Sequence, residues 1–237
     1  MKVLLIGGSG IVGTLITPFL KAKHTLSVFD LRSPQDETID YYQGSLLNHE
    51  TLGEALIDKD ALIYMAMGSV NWDEWSGTDS GFDMNVKGVH FALKAAAREG
   101  ISQAVYCSSM SVYADIMKRY FHDEGLSPDE IHLYGFTKFL GEEVCKNAHR
   151  RWGLNINALR LCHPTAKATW LEQTTKGVPT IHTTDEDVAN AMLAALEFKG
   201  GFQTFTISGD YEEKIMNMSK AKKLLGWQPL ARPKERC

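Results

Sequence analysis

Lys2-Val3-Leu4-Leu5-Ile6-Gly7-Gly8-Ser9-Gly10-Ile11-Val12-Gly13 stands almost at the start of the chain and decides its fold. Val3 to Ile6 is a short, unbroken apolar run, the pattern of a strand covered on both faces. Glycines follow at 7, 8, 10 and 13, and a helical apolar pattern then runs from Ile11 to Lys21. Glycine permits the tight turn and lets backbone amides approach a pyrophosphate, which the helix N-terminus attracts. A glycine string alone is weak evidence, but this one joins a strand to a helix. Asp30 also closes the next strand, Leu26 to Asp30, near the interval expected of a ribose-binding carboxylate.

The reading is a dinucleotide site. Gly7, Gly10, Ile11, Val12 and Gly13 form the phosphate loop, and Asp30, Leu31 and Arg32 stand at the adenosine. Leu46, after the third strand, and Met65 and Ala66, late in the fourth, are assigned to the same cleft. A carboxylate at position 30 repels a 2′-phosphate and favours NAD over NADP, whereas Arg32 would welcome one.

Working outward, short apolar runs keep alternating with helical patterns. Strands are expected at Tyr41 to Gln43, Ala61 to Met67, Gln103 to Ser108, Ile156 to Leu161 and Phe202 to Ile207. Helices are expected from Asn48 to Ile57, from Asp79 to Glu99 and from Tyr134 to Trp152, the last two closed by glycine. This is the order of an α/β, Rossmann-type, doubly wound parallel sheet with helices on both faces. Residues 1–163 are expected to form the NAD-binding domain. Residues 164–237 are expected to form a small, reduced C-terminal substrate region that also supplies the last strand. Three irregular stretches (69–81, 110–133 and 164–179) leave the carboxyl ends of strands, where such sheets bind ligands.

Composition narrows the class. The 237 residues carry a formal net charge of −4, which gives no reason to expect nucleic acid or an anionic membrane as partner. No apolar run approaches a bilayer-spanning length, and Met1 to Ile6 is too short for a signal-peptide core. Cys107, Cys145, Cys162 and Cys237 form no close-spaced metal or redox motif, so no metal site is expected. The expectation is a cytoplasmic protein in a reducing compartment.

Tyr134-Gly135-Phe136-Thr137-Lys138 places a phenol and an ammonium one helical turn apart. Cys107-Ser108-Ser109-Met110-Ser111-Val112-Tyr113 brings a hydroxyl-rich strand end to the same cleft. A free phenol titrates near 10, too high for a base at neutral pH. A cation about 4 Å away, at an effective dielectric near 20, would contribute on the order of 4 kcal/mol, or roughly three pKa units at most. Lys138 is therefore expected to lower the pKa of Tyr134.

Taken with the glycine loop, Asn85-Val86-Lys87-Gly88, Leu159-Arg160, Ile181-His182 with Asp187-Val188-Ala189, and Leu225-Gly226-Trp227-Gln228-Pro229, the chain resembles an extended short-chain dehydrogenase/reductase of the epimerase/dehydratase type. The resemblance implies that Ser109 holds the substrate oxygen, Tyr134 is the acid/base, Lys138 binds the nicotinamide ribose and Asn85 organises the site. The implied protein is an NAD-dependent oxidoreductase acting on a sugar-like small molecule, with a homodimer through paired long helices. Ser69, Asn71, Trp72, His132, His163 and Trp170 lie on the three loops as candidate sugar contacts, and Arg160 as a partner for a substrate carboxylate.

Departures from the family pattern narrow the reaction. Met110-Ser111 stand where dehydratases place an acidic pair. Only 164–180 separates strand six from Ile181-His182, where epimerases carry a lobe for the nucleotide half of their substrate. In layout the chain is most similar to uronate dehydrogenases and small sugar dehydrogenases. The alternatives are a compact nucleotide-sugar epimerase and a non-catalytic dinucleotide-binding regulator.

Overall fold

The computed structural model describes residues 1–69, 71–118, 120 and 123–234; Cys237 lies outside them. Seven parallel strands form one sheet, in the order β3-β2-β1-β4-β5-β6-β9. They are β1 (Lys2–Ile6), β2 (Thr25–Asp30), β3 (Asp40–Gln43), β4 (Ala61–Tyr64), β5 (Gln103–Ser109), β6 (Asn155–Leu161) and β9 (Phe202–Ile207). The order reverses between β1 and β4, which opens a crevice at their carboxyl ends. The fold is the Rossmann-type doubly wound sheet expected.

Side-chain alternation along β1 shows why both faces are covered. Val3 and Leu5 pack with α1 (Ile11–Lys21) and α7 (Asp185–Glu197), whose Ile16, Leu20, Val188 and Met192 are buried. Leu4 and Ile6 pack on the other face with α2 (His49–Leu56), α4 (Val89–Arg98) and α5 (Leu133–Trp152). Residues beyond 163 thus complete both the sheet, through β9, and one helical layer, through α7. Gln103 and Asn157 each donate to the carbonyls of Ala195 and Phe198, satisfying the end of α7.

Several boundaries differ from expectation. β4 ends at Tyr64, and Met65 and Ala66 bend away to wall the crevice. The helix expected from Asp79 begins earlier, as α3 (Trp75–Phe82), and passes through a π-helical turn, Asp83–Gly88, before α4. Between β6 and α7, the pair β7 (Pro164–Thr165) and β8 (Thr183–Thr184) forms a separate parallel sheet, with α6 (Lys167–Gln173) between them. No helix among the described residues is long and apolar enough to cross a membrane.

Candidate active site

The nucleotide half of the crevice is made mostly of backbone. Gly7 leaves β1 at φ +78°, and a Cβ there would stand 2.5 Å from the Ala66 nitrogen. A Cβ on Gly13 would stand 2.2 Å from the Gly8 carbonyl oxygen, so α1 meets the loop only with glycine at this position. Gly10 caps α1 without a side-chain hydrogen bond, and the first turn carries no acidic residue. The helix therefore presents its amides and positive dipole end to an anion.

Asp30 knits the loop to β2: its carboxylate accepts from the Ser9 amide at 3.0 Å and the Arg32 amide at 3.1 Å. Ser9 Oγ returns a bond to the Arg32 carbonyl at 2.7 Å, and the Arg32 guanidinium reaches the Ser9 carbonyl at 3.4 Å. The cleft holds about 690 Å³ and is walled by Gly7, Gly10, Val12, Leu46, Met65 and Ala66, with Asp30 and Arg32 at its adenosine end. Ile11 and Leu31 also line it, 80% and 65% exposed, as two apolar edges for a flat base. The loop, the bare helix end and the elongated cleft fit NAD. Gly13 lies behind the wall as a packing residue.

A second cavity of about 190 Å³ meets the first at Val12. Its wall carries Ser109, Ser111, Tyr134 and His163, with Ile116 and Pro164 as apolar neighbours. The Ser109 hydroxyl stands close enough to the Tyr134 phenol to favour its ionised form, and Ser109 Oγ accepts from the Ser111 amide at 3.0 Å. Burial and the nearby Cys107 thiol push the Tyr134 phenol up to about 12, against the Ser109 hydroxyl, which acts the other way.

The expected Lys138 effect is not found. Its ammonium donates to the Cys107 carbonyl at 2.9 Å and lies 6.0 Å from the Tyr134 ring centroid. Burial lowers its own pKa. Asn85, fully buried in the π-turn, donates to Thr137 Oγ1 at 2.9 Å, and Thr137 in turn bonds the Tyr134 carbonyl. It braces the first turn of α5 and touches the reacting groups only through that helix.

Of the substrate candidates, Ser109 and His163 line the cavity. His163 sits at φ +39°, a left-handed conformation held by bonds to its carbonyl from Thr165 Oγ1 at 2.8 Å and the Thr183 amide at 3.3 Å. Its ring stacks on His182 at 4.9 Å, and burial together with His163 lowers the His182 pKa.

Arg160 is not a substrate ligand. It is 3% exposed and forms a bidentate pair with Glu142, at 2.9 Å and 2.7 Å. It also bonds the Tyr113 hydroxyl and the Glu124 carbonyl, while Glu142 takes a bond from Ser108 at 2.6 Å. A guanidinium in an apolar strand needs a buried carboxylate, and Glu142 on α5 supplies it.

Ser69, Asn71 and His132 do not line the cavity. Ser69 and Asn71 close a turn on each other, and His132 caps α5 in solvent. Trp170 is fully buried and donates to the His182 carbonyl at 2.7 Å, so it anchors the 166–182 segment and walls no ligand. Lys167 is paired with Glu186 at 2.6 Å. Sequence reasoning missed Ser111 as a wall residue, although it lies in the hydroxyl-rich string quoted for the site.

A glycine loop at a bare helix end, opening on a crevice at the reversal of strand order, is the geometry of a Rossmann-type dinucleotide-binding protein. The chain belongs to the NAD dependent epimerase/dehydratase family, whose model matches residues 3–183. It is 26% identical over 222 residues to a UDP-glucose 4-epimerase of Lactobacillus helveticus, covering 90% of this chain and 65% of that protein. It is 27% identical over 155 residues to the N-acetyl-alpha-D-glucosaminyl-diphospho-ditrans,octacis-undecaprenol 4-epimerase of Escherichia coli O157:H7, covering 63% of this chain and 44% of that one. The chain thus spans 44% to 65% of the length of these curated relatives. A mutated uronate dehydrogenase shares the fold at a TM-score of 0.81 and 18% identity, covering 97% of this chain and 82% of that one.

Proposed function

We propose that this protein is an NAD-dependent oxidoreductase that interconverts a secondary hydroxyl and a carbonyl on a compact sugar or sugar acid. The observation that carries this reading is the small cavity beside Ser109 and Tyr134, about 190 Å³, with His163 and Pro164 on its far wall. A monosaccharide suits a space of that size, and a nucleotide diphosphate needs a larger surface of its own.

Gly7, Gly10 and Val12 would hold the cofactor's phosphates, Asp30 its ribose, and Leu46, Met65 and Ala66 its rings. NAD supplies the hydride acceptor. Ser109 holds the substrate oxygen and Tyr134 moves its proton. In oxidation the O–H bond breaks toward the Tyr134 oxygen while the carbon gives up its hydride; in reduction both return. A phenol near 12 is protonated at neutral pH, so Tyr134 is set there to donate its proton in the reductive step. Oxidation, which needs the phenolate, should quicken steadily as pH rises.

The test is a panel of free sugars, uronates and UDP-sugars incubated with NAD and followed by NADH absorbance. Stoichiometric NADH from a free monosaccharide or uronate is expected. Tyr134→Phe should lose about 10²–10⁴-fold in rate with NAD affinity unchanged. The second reading, a compact nucleotide-sugar epimerase, draws support from the two curated relatives. Interconversion of a UDP-sugar with no net NADH would establish it and remove the first.

A further inference from the structure

The loop after β4 carries an aromatic residue that lines neither the cofactor cleft nor the substrate cavity among the described residues. The Trp72 ring lies 5.5 Å from the Tyr134 ring, centroid to centroid, with planes 33° apart. Three glycines seat it there. A Cβ on Gly68 would stand 2.4 Å from the Ser80 carbonyl oxygen, and one on Gly77 would stand 1.7 Å from the Asn71 carbonyl oxygen. A Cβ on Gly81 would press on the Trp72 ring at 3.2 Å. The loop therefore nests against α3 at a distance only glycine allows, and the indole projects from that nest onto the phenol ring. Trp72 is partly buried although it sits on a loop beside two exposed neighbours, Asn71 and Asp73.

We propose that Trp72 is a positioning residue for Tyr134: its indole fixes the phenol ring against β5 and excludes water from the ring face turned away from the cavity. This rests on Tyr134 being the proton-transfer group. The stack joins the loop after β4 to the first turn of α5, two walls that the sheet itself does not connect. Other groups around the phenol act differently. The Ser109 hydroxyl favours its ionised form, the Cys107 thiol raises its pKa, the Lys138 ammonium stands 6.0 Å away, and His163 lines the cavity it faces. Of the described groups around the phenol, only Trp72 brings an aromatic ring to the phenol ring.

The experiment uses the full chain with saturating NAD, grown with fluorotyrosine so that the phenols ionise at lower pH. The Tyr134 fluorine resonance is identified by its loss in Tyr134→Phe and titrated in wild type, Trp72→Phe, Trp72→Leu and Trp72→Ala. Trp72→Phe should titrate as wild type does. Trp72→Ala should titrate about one pH unit lower, because water reaches the ring, with Trp72→Leu between them. NAD affinity should stay within about twofold throughout, which certifies folding; if Trp72→Ala fails that check, Trp72→Leu decides. With a turned-over sugar, Trp72→Ala should lower kcat and move its alkaline limb while KM changes little. Identical titration of wild type, Leu and Ala variants would overturn the proposal. A wild type that oxidises no sugar would overturn the dehydrogenase reading and leave the titration to decide Trp72 alone.

Discussion

The two halves of the crevice are built by different means. In the nucleotide half, the loop from Gly7 to Gly13 makes its shape with main chain, and hydrogen bonds linking Ser9 with Asp30 and Arg32 tie it to the end of β2. In the substrate half, the wall is assembled from side chains at the end of β5, in the first turn of α5 and in the segments that follow β5 and β6. Its support runs through long-range buried polar bonds, such as Arg160 to Glu142 and Thr206 to Glu124. A site made of backbone tolerates change in its side chains but none in its glycines. A site made of side chains depends on partners far away in sequence, and should fail when one of those is removed.

The largest effect should therefore come from Arg160. Arg160→Leu leaves Glu142 charged and unpaired at 2% exposure, and should destabilise the fold by about 3–5 kcal/mol, read as a lower midpoint in urea. Replacing both partners, Arg160→Leu with Glu142→Leu, should recover most of that loss. If the single variant is as stable as wild type, the substrate half is not braced in this way.

The same contrast explains what was legible in the sequence. The glycine loop, Asp30 and the unbroken apolar run of β1 rest on local rules, so the fold class, cofactor and cleft could be read directly. Tyr134 and Ser109 could be placed at one cavity because β5 ends and α5 begins at the crevice. Arg160 could not be assigned, because the choice between substrate and Glu142 depends on how α5 packs on β6. The direction of the Tyr134 shift was misread for a similar reason. A Y-x-x-x-K spacing brings the ammonium near, but the Cys107 carbonyl that captures Lys138 lies on another element. Trp170 also looked like a ligand wall until α6 folded it inward.

Next in size is the backbone half. Gly13→Ala places a methyl against the Gly8 carbonyl and should destabilise by about 1–3 kcal/mol, with a parallel loss of NAD affinity measured by calorimetry. Unaltered NAD binding would mean that the loop yields more than its contacts imply.

The last effect shows only in alkali. Tyr134 is raised from about 10 to about 12, so its neutral form favours the fold. That contribution is fully present below about pH 10 and is lost as pH rises toward 12, by roughly 2–3 kcal/mol at the limit. Tyr134→Phe should flatten the decline of stability across that window while leaving it unchanged at pH 7. Equal declines in the two proteins would place the ionising groups elsewhere, Tyr64 and Tyr106 being raised by burial as well.

The small sheet of β7 and β8 has a consequence for how this architecture can diversify. Pro164 pairs with Thr183 and Thr165 with Thr184, so the segment between them leaves and re-enters the core at one fixed gate. Lengthening a loop whose ends are already held together adds only about 0.6 kcal/mol for each doubling. The segment between the two short strands can therefore be enlarged or trimmed with no change to the seven-stranded sheet beneath it.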